Sequence, residues 1–222
     1  MYTFKIQKDY YNNGVKLYLK DIIEIKEGLT VLVGCNGSGK TTLIKQMKDQ
    51  LTENIDIDII DFNNLSQGGS NKLSELLYRA NQFNNNMEEF ALRAFASEGE
   101  SIYYNIGDVI RKIGNTIRCS EKDIIFVFFD AIDSGLSIDN AAEVIDVIKN
   151  LIIPDAQRFN KEIYFIISTN SYEFVRHNTS ECFDIYHCIY RSFNGYENYR
   201  KFILNTKKIK DRRVYKEWEI LL

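Results

Sequence analysis

The chain has 222 residues, of which 45% are hydrophobic and 27% charged, and its formal net charge is -3. This length and composition suit one packed domain, so we expect residues 1–222 to form a single domain. The charge excludes an overall basic excess that would attract nucleic acid, and we expect no membrane span because no segment reaches roughly 18 consecutive apolar residues. The cysteine spacing does not suggest a disulfide framework, so we expect free thiols and a cytoplasmic protein.

The first half of the chain predicts strands that alternate with helices. Residues 3–26 alternate apolar and polar side chains around Asn12-Asn13-Gly14, which predicts a hairpin followed by further extended chain. The apolar strand "GLTVLVG" precedes a segment with helical spacing at Leu43, Met47 and Leu51. "NIDIDIIDF" predicts another strand, "NNLSQGGSN" a loop, and residues 72–96 a helix interrupted near "NQFNNN".

The second half continues the alternation. "SEGESIYYNIGDVIRKIGNTI" predicts a loop and a helix, "DIIFVFFD" a strand, and "SIDNAAEVIDVIKNLII" a helix capped by Ser137. "KEIYFIIST" predicts a strand, "NSYEFVRH" the start of a helix, and the tail a strand or two and a helix. We therefore predict an α/β fold with a largely parallel central sheet beside an N-terminal antiparallel β subdomain.

A glycine-rich segment lies between the strand "LTVLV" and the first helix. "GCNGSGKT", residues 34–41, matches G-x-x-x-x-G-K-[ST], and we call it the phosphate loop. Its backbone N–H groups and the helix N-terminus are suited to bind a β-phosphate. Lys40 would contact the β- and γ-phosphates, the Thr41 hydroxyl would bind Mg²⁺, and Thr42 would contact the α-phosphate. The predicted ATP-binding residues of this segment are Asn36, Gly37, Ser38, Gly39, Lys40, Thr41 and Thr42.

An aspartate ends a later apolar strand. Asp130 closes "DIIFVFFD", at the edge where open α/β sheets bind ligands. A carboxylate at this position would hold Mg²⁺ through water, so we predict ATP and Mg²⁺ as cofactors. Tyr11 and Tyr18 are candidates to stack on adenine, although in a chain with 14 tyrosines core or surface packing is the favoured interpretation.

Further motifs show a family resemblance over residues 15–175. The chain resembles an ABC-type P-loop ATPase, nearer to the soluble SMC-like branch and small prophage or defence ATPases than to transporters. "ASEGES", residues 96–101, looks like the signature loop, whose common forms are LSGGQ and SSGE, although Glu98 replaces the usual glycine or serine. "DSGLSID" looks like the loop that crosses the dimer interface, and "FIISTNS" like the switch strand, with Asn170 where histidine is common.

This resemblance implies a dimer in which two subunits enclose two ATP molecules. Ser97, Gly99 and Glu100 of one subunit would then face the phosphate loop of the other, although Ser97 and Glu100 also fit a helix-capping box. Asn170 would contact the γ-phosphate, and Gln67 would sense Mg²⁺ and the γ-phosphate, with Gln82 as its alternative. The predicted metal site is thus Thr41, Asp130 and Gln67. Residues 68–115 would form a helical insert with the signature region, and residues 183–222 a C-terminal extension.

The residue after Asp130 departs from the family pattern. Ala131 stands where the family usually has a glutamate that activates the attacking water, so the predicted catalytic positions are Ala131, Asn170 and Gln67. A general base typically accelerates a reaction about 10²–10⁴-fold, and alanine cannot act as one. We therefore expect ATP binding and dimer closure with very slow hydrolysis. We interpret Ala131 as an engineered replacement that traps the ATP-bound dimer; natural divergence, which Asn170 favours, is the alternative.

The coupled activity stays open at this level. We expect a homodimer that gates a partner or effector protein, with a nucleic-acid or phage-defence role; the alternatives are an ATP-binding subunit of a membrane transporter and a binding module that does not hydrolyse ATP. The basic tail segment "NTKKIKDRR" suits nucleic acid, a partner protein or a solvated helix face. Its basic residues are Lys207, Lys208, Lys210, Arg212 and Arg213.

Overall fold

Two sheets organise the part of the chain that the computed structural model describes, residues 1–11, 14–63, 98–133, 136–177 and 181–220. Strands β1 (Tyr2–Lys5) and β2 (Ile22–Ile25) pair in antiparallel fashion. The second sheet has six strands. They are β3 (Gly28–Val33), β4 (Ile57–Asn63), β5 (Ile124–Asp130), β6 (Glu162–Ser168), β7 (Cys182–Asp184) and β8 (Ile189–Arg191).

The six-stranded sheet has the order β4-β5-β6-β3-β7-β8. All neighbours are parallel except β7 and β8, which pair in antiparallel fashion. With the N-terminal antiparallel hairpin, this topology confirms the predicted α/β fold class. The predicted strands at "GLTVLVG", "NIDIDIIDF", "DIIFVFFD" and "KEIYFIIST" are all present.

Helices connect the strands. The described helices are α1 (Lys40–Leu51), α2 (Glu98–Cys119), α3 (Ile138–Val147), α4 (Ile153–Arg158), α5 (Tyr172–His177) and α6 (Tyr196–Ile220). Ser137 caps α3 as predicted, because its side chain accepts a hydrogen bond from the backbone N–H of Asn140. A π-helical turn, Ile148–Ile152, joins α3 to α4, next to Pro154, which has no backbone N–H to continue an α-helical ladder.

The core lies on both faces of the six-stranded sheet. Ile125, Val127 and Phe129 of β5 pack with helices α2 and α3, whereas Phe126 and Phe128 pack with α1 and the β1–β2 hairpin. Burial on both faces explains why "IIFVFF" is apolar at every position instead of alternating. No helix within the described ranges is both long and apolar enough to cross a membrane.

The hairpin differs in detail from the prediction. Within it, only β1 and β2 are paired as strands. Residues 14–21, which were predicted to contain further extended chain, form no strand. The backbone N–H of Leu17 instead donates to Lys8 O, and that of Leu19 to Tyr186 O, outside a continuous ladder. The loop and the interrupted helix predicted from residue 64 to 96 fall outside the described residues.

Candidate phosphate-binding site

The candidate site lies where three parallel strands end. Because β5, β6 and β3 are neighbours, their carboxyl ends bring Asp130, Ser168 and Val33 to one edge of the sheet. The phosphate loop follows β3, and α1 begins at Lys40. The loop therefore lies beside the ends of β5 and β6, at the edge where open parallel sheets bind ligands.

Three glycines give the phosphate loop its shape. Gly37 and Gly39 have φ angles of 71° and 100°, in the left-handed region that glycine adopts without steric cost. A methyl group on Gly34 would lie 2.6 Å from Ser38 Oγ and 3.2 Å from Ile185 Cγ1, so a larger residue here would displace the side chains around the loop. The Tyr18 hydroxyl donates a hydrogen bond to the Gly39 carbonyl, at the end of the loop, at 2.8 Å.

Lys40 is held among oxygen acceptors. Its Nζ donates to Gly34 O at 2.8 Å, to Cys35 O at 3.3 Å and to Asn170 Oδ1 at 2.7 Å. Burial lowers the pKa of Lys40, and the nearby negative charges of Asp133 and Asp130 oppose that shift only in part. A buried ammonium on neutral oxygens is suited to an anionic ligand, which would stabilise its charged form.

Asp130 is the buried acceptor of a polar cluster. The Thr41 hydroxyl donates to its Oδ1 at 3.2 Å, Asn63 Nδ2 donates to its Oδ2 at 3.3 Å, and the Ser168 hydroxyl also donates to Oδ1. Thr41 and Asp130 thus present two oxygen groups side by side, as Mg²⁺ prefers.

Asn170 connects Lys40 to two further elements. Its backbone N–H donates to Asp133 Oδ2 at 2.9 Å, and its carbonyl accepts a hydrogen bond from the Tyr199 hydroxyl of α6 at 3.1 Å. Asp133 belongs to the segment that resembles the dimer-interface loop. In this structure, that aspartate holds the residue that contacts Lys40.

Ala131 has an unusual backbone. Its φ is 53°, in the left-handed region that non-glycine residues seldom adopt, and its N–H donates to Ser168 Oγ at 3.0 Å. Its methyl side chain has no atom that accepts a proton, so the described site contains no carboxylate at this position.

The residues present fit a nucleoside triphosphate with Mg²⁺. The buried Ser38 Oγ has no hydrogen-bond partner among the described residues, so the loop keeps a hydroxyl for a ligand. Within the described ranges no three His, Cys, Asp or Glu residues cluster as a metal site. Mg²⁺ typically binds through one or two protein oxygens plus substrate phosphates, and Thr41 with Asp130 supplies that number.

The structure brings together only part of the predicted set. Lys40, Thr41, Asp130, Ala131 and Asn170 lie around the loop, and Thr42 Oγ1 lies 3.1 Å from the hydroxyl of Tyr11. Gln67, its alternative Gln82, and Ser97 fall outside the described residues. Gly99 and Glu100 belong to the start of α2.

The two tyrosines considered for adenine differ sharply. Tyr18 is fully buried in the core, and burial raises its pKa, so packing explains it. Tyr11 is 61% exposed beside Thr42 and stays a candidate.

Sequence reasoning missed several residues of the site. Asn63 and Ser168 bind Asp130, while Asp133 and Tyr199 hold Asn170. Asn63 and Ser168 stand at the ends of β4 and β6, beside β5 in the sheet, so strand order would have found them. No sequence pattern predicted that Tyr199 would contact Asn170.

Comparison with known proteins places the chain in a family. The sequence model described as "ATPase family associated with various cellular activities (AAA)" matches residues 30–189, which is more than half of the chain. The chain belongs to the AAA ATPase family. The matched range contains the phosphate loop, Asp130 and Asn170. None of the curated proteins compared with this AAA chain is significantly similar to it.

Solved structures are similar to the chain at low identity. Cdc6p from Pyrobaculum aerophilum is 13% identical, with 67% of this chain and 34% of that chain covered and a TM-score of 0.36. The Aeropyrum pernix ORC2 protein in its ADPNP–ADP complexes is 12% identical, with 69% and 38% covered and a TM-score of 0.35. This chain therefore spans little more than a third of those two proteins.

A nucleotide-free ATP-binding cassette from an ABC transporter is also similar. It is 14% identical, with 92% of this chain and 97% of that chain covered and a TM-score of 0.47. The likeness concerns the fold alone. The narrower predictions, an ABC-type mechanism and the SMC-like branch, stay predictions.

Proposed function

We propose that this chain is a Mg²⁺-dependent ATPase whose ATP-bound form pairs with a second copy and gates an associated activity. The observation that carries the proposal is the position of Lys40. Its ammonium lies inside the phosphate loop and within 2.7 Å of Asn170, next to the paired oxygens of Thr41 and Asp130. These groups suit phosphoryl transfer, which depends on positioning and charge stabilisation more than on covalent chemistry.

Each residue has a proposed role. Lys40 would exchange its carbonyl partners for phosphate oxygens, and Ser38 would donate its hydroxyl to the same anion. Thr41 and Asp130 would hold Mg²⁺, which neutralises phosphate charge when bound. Asn170, fixed by Asp133 and Tyr199, would contact the γ-phosphate. Tyr11 would stack on the base, because its ring lies beside Thr42 at the exposed side of α1.

Ala131 sets the proposed rate. The methyl group cannot take a proton from water, so hydrolysis would rely on charge stabilisation alone and proceed slowly. The chain would then stay in its ATP-bound state for long periods. We propose that the alanine is an introduced replacement for glutamate, and an alanine encoded by the native gene would refute this.

The dimer is proposed from the resemblance in the sequence. Ser97, Gly99 and Glu100 of one copy would contact ATP held by Lys40 of the other. The gated activity is proposed to be a nucleic-acid transaction or a phage-defence function, in the cytoplasm, where the free thiols of the four cysteines would persist. A transporter subunit is the alternative, and copurification with a membrane protein would favour it.

A second candidate is a module that binds ATP only as a structural ligand. Ala131 favours this candidate, because a site without a proton acceptor need not turn over. Under it, ATP would stabilise the fold without changing the oligomeric mass.

The direct test measures ATP binding to the full chain and to Lys40→Ala by calorimetry, with and without Mg²⁺. We expect Lys40→Ala to abolish measurable binding, and Mg²⁺ to strengthen binding to the unmodified chain. Lys207→Ala, an exposed lysine of α6, is the matched control and should bind normally. If Lys40→Ala bound ATP as tightly as the control, the proposed function would be wrong.

A further inference from the structure

The C-terminal helix α6 brings a second lysine to the phosphate loop. Lys210 Nζ donates to the Asn36 carbonyl at 3.0 Å, across 174 positions of sequence. A methyl group on Gly37 would lie 3.6 Å from that Nζ and 3.7 Å from Lys210 Cδ. The lysine therefore lies over the loop residues Asn36 and Gly37, although the sequence placed it in a basic tail.

The first part of α6 is firmly packed, so the position of Lys210 is not that of a free tail. Tyr199, Phe202 and Thr206 are buried, and the Tyr199 hydroxyl donates to the Asn170 carbonyl. Lys210 lies about 16 Å beyond Tyr199 along the helix axis. One helix thus contacts both loops that flank Lys40, at Asn170 and at Asn36.

The charge of Lys210 is only weakly compensated. Among the described residues its carboxylate neighbour is Asp211, at 3.9 Å, beyond hydrogen-bond distance, and its hydrogen-bond partner Asn36 O is neutral. The side chain is 34% exposed, in contrast with Lys207 and Lys208, which point into solvent on the same helix. An ammonium has three donors, so Lys210 can keep Asn36 O and still bind an anion.

We propose that Lys210 is a second phosphate-binding lysine, supplied by α6, that favours nucleotides with a longer phosphate chain. This inference rests on the proposed function, because it assigns Lys210 to the same ligand as Lys40. Lys40 approaches the ligand from inside the loop, and Lys210 approaches it from the outer side at Asn36. A half-exposed cation is partly screened, so its contribution is modest compared with that of the buried Lys40.

The test measures, by calorimetry, how tightly the full chain and four variants bind ATP, ADP and AMP. The variants are Lys210→Ala, Lys210→Arg, Lys208→Ala and Lys40→Ala. We expect Lys210→Ala to weaken ATP binding about three- to tenfold and AMP binding less, and Lys210→Arg to restore most of the loss. The ATP effect should shrink at high salt, because exposed charges are screened. Lys208→Ala, exposed on the same helix, should bind all three nucleotides normally.

Each other outcome has one meaning. If Lys210→Ala leaves ATP affinity unchanged while Lys40→Ala abolishes it, the inference fails and the proposed function stands. If Lys210→Ala weakens the three nucleotides equally, Lys210 only shapes the loop, and the phosphate contact is refuted. If Lys40→Ala binds ATP normally, the proposed function itself fails. A circular-dichroism melt checks that each variant keeps the overall fold and its thermal stability.

Discussion

Lys40 combines two properties that are unfavourable together. It is buried, which penalises its charge, and three neutral oxygens surround its ammonium. A phosphate anion would remove the penalty by pairing with the charge. A bound anion would therefore stabilise the charged form of Lys40 more than that of an exposed lysine.

This property makes a prediction about pH. Burial lowers the pKa of Lys40, so its ammonium loses its proton at a lower pH than an ordinary lysine. We expect the Kd for ATP to rise as pH increases from about 8, where phosphate is fully ionised, toward the usual lysine range. Burial raises the pKa of Tyr18, so its hydroxyl stays protonated over this interval.

Calorimetry of ATP binding at a series of pH values checks the sign. The Lys208→Ala variant should follow the same curve as the unmodified chain. An affinity that stayed constant, or improved, as the pH increased would show that the charged form of Lys40 does not bind the nucleotide.

Some residues of the site could be predicted from a local sequence pattern, and others could not. Lys40, Thr41 and Asp130 were predictable because a loop motif and a strand end specify them locally. Asn63, Ser168 and Tyr199 were not, because their roles come from strand order and from a helix far along the chain. Lys210 was predicted only as part of a basic cluster, since spacing says nothing about which basic residue meets another element.

At the scale of elements, the segment between β1 and β2 supports the phosphate loop. Tyr18 is fully buried, and its hydroxyl lies where a methyl group on Gly39 would come within 3.1 Å. Leu17 lies at a similar distance, 3.3 Å. The segment that departs from the predicted regular hairpin thus places two side chains, Leu17 and Tyr18, against the end of the phosphate loop.

We therefore predict that Tyr18→Phe loosens the loop. The variant keeps the ring but removes one of the two donors to the Gly39 carbonyl, which still accepts a hydrogen bond from the Leu43 N–H. We expect the loss to cost up to about 1 kcal/mol of unfolding free energy, and ATP binding should weaken in parallel. Urea denaturation and calorimetry measure the two effects. Tyr196→Phe, at an exposed position, is the control and should change neither. Unchanged stability and affinity in Tyr18→Phe would rule out the supporting role.

The strands show why fold class was easier to predict than strand order. The alternation of strands with helices predicted a largely parallel sheet. The continuous apolar runs of β5 and β6 agree with it, because these strands are buried on both faces. Their order in the sheet depends on long-range pairing, which no local pattern encodes. The pairing of β3 with both β6 and β7 is of this kind.

At the scale of the whole molecule, several elements meet at one site. The segment between β1 and β2 contacts the phosphate loop through Tyr18. Strands β4, β5 and β6 supply Asn63, Asp130 and Ser168. Helix α6 contacts the loops at Asn36 and Asn170. These elements therefore converge on the residues that would hold the ligand. Such an arrangement suits a switch, in which nucleotide binding is felt far from the phosphate loop.

The most direct measurement is ATP turnover and oligomeric mass in Mg²⁺-ATP, for the present chain, Ala131→Glu and the matched control Ala131→Gln. We predict an ATP-dependent dimer with very slow turnover for the present chain and for Ala131→Gln. Ala131→Glu should hydrolyse ATP about 10²–10⁴-fold faster and return to monomer as ATP is consumed. If glutamate restored no turnover and ATP produced no dimer in any variant, the ATPase switch would be refuted.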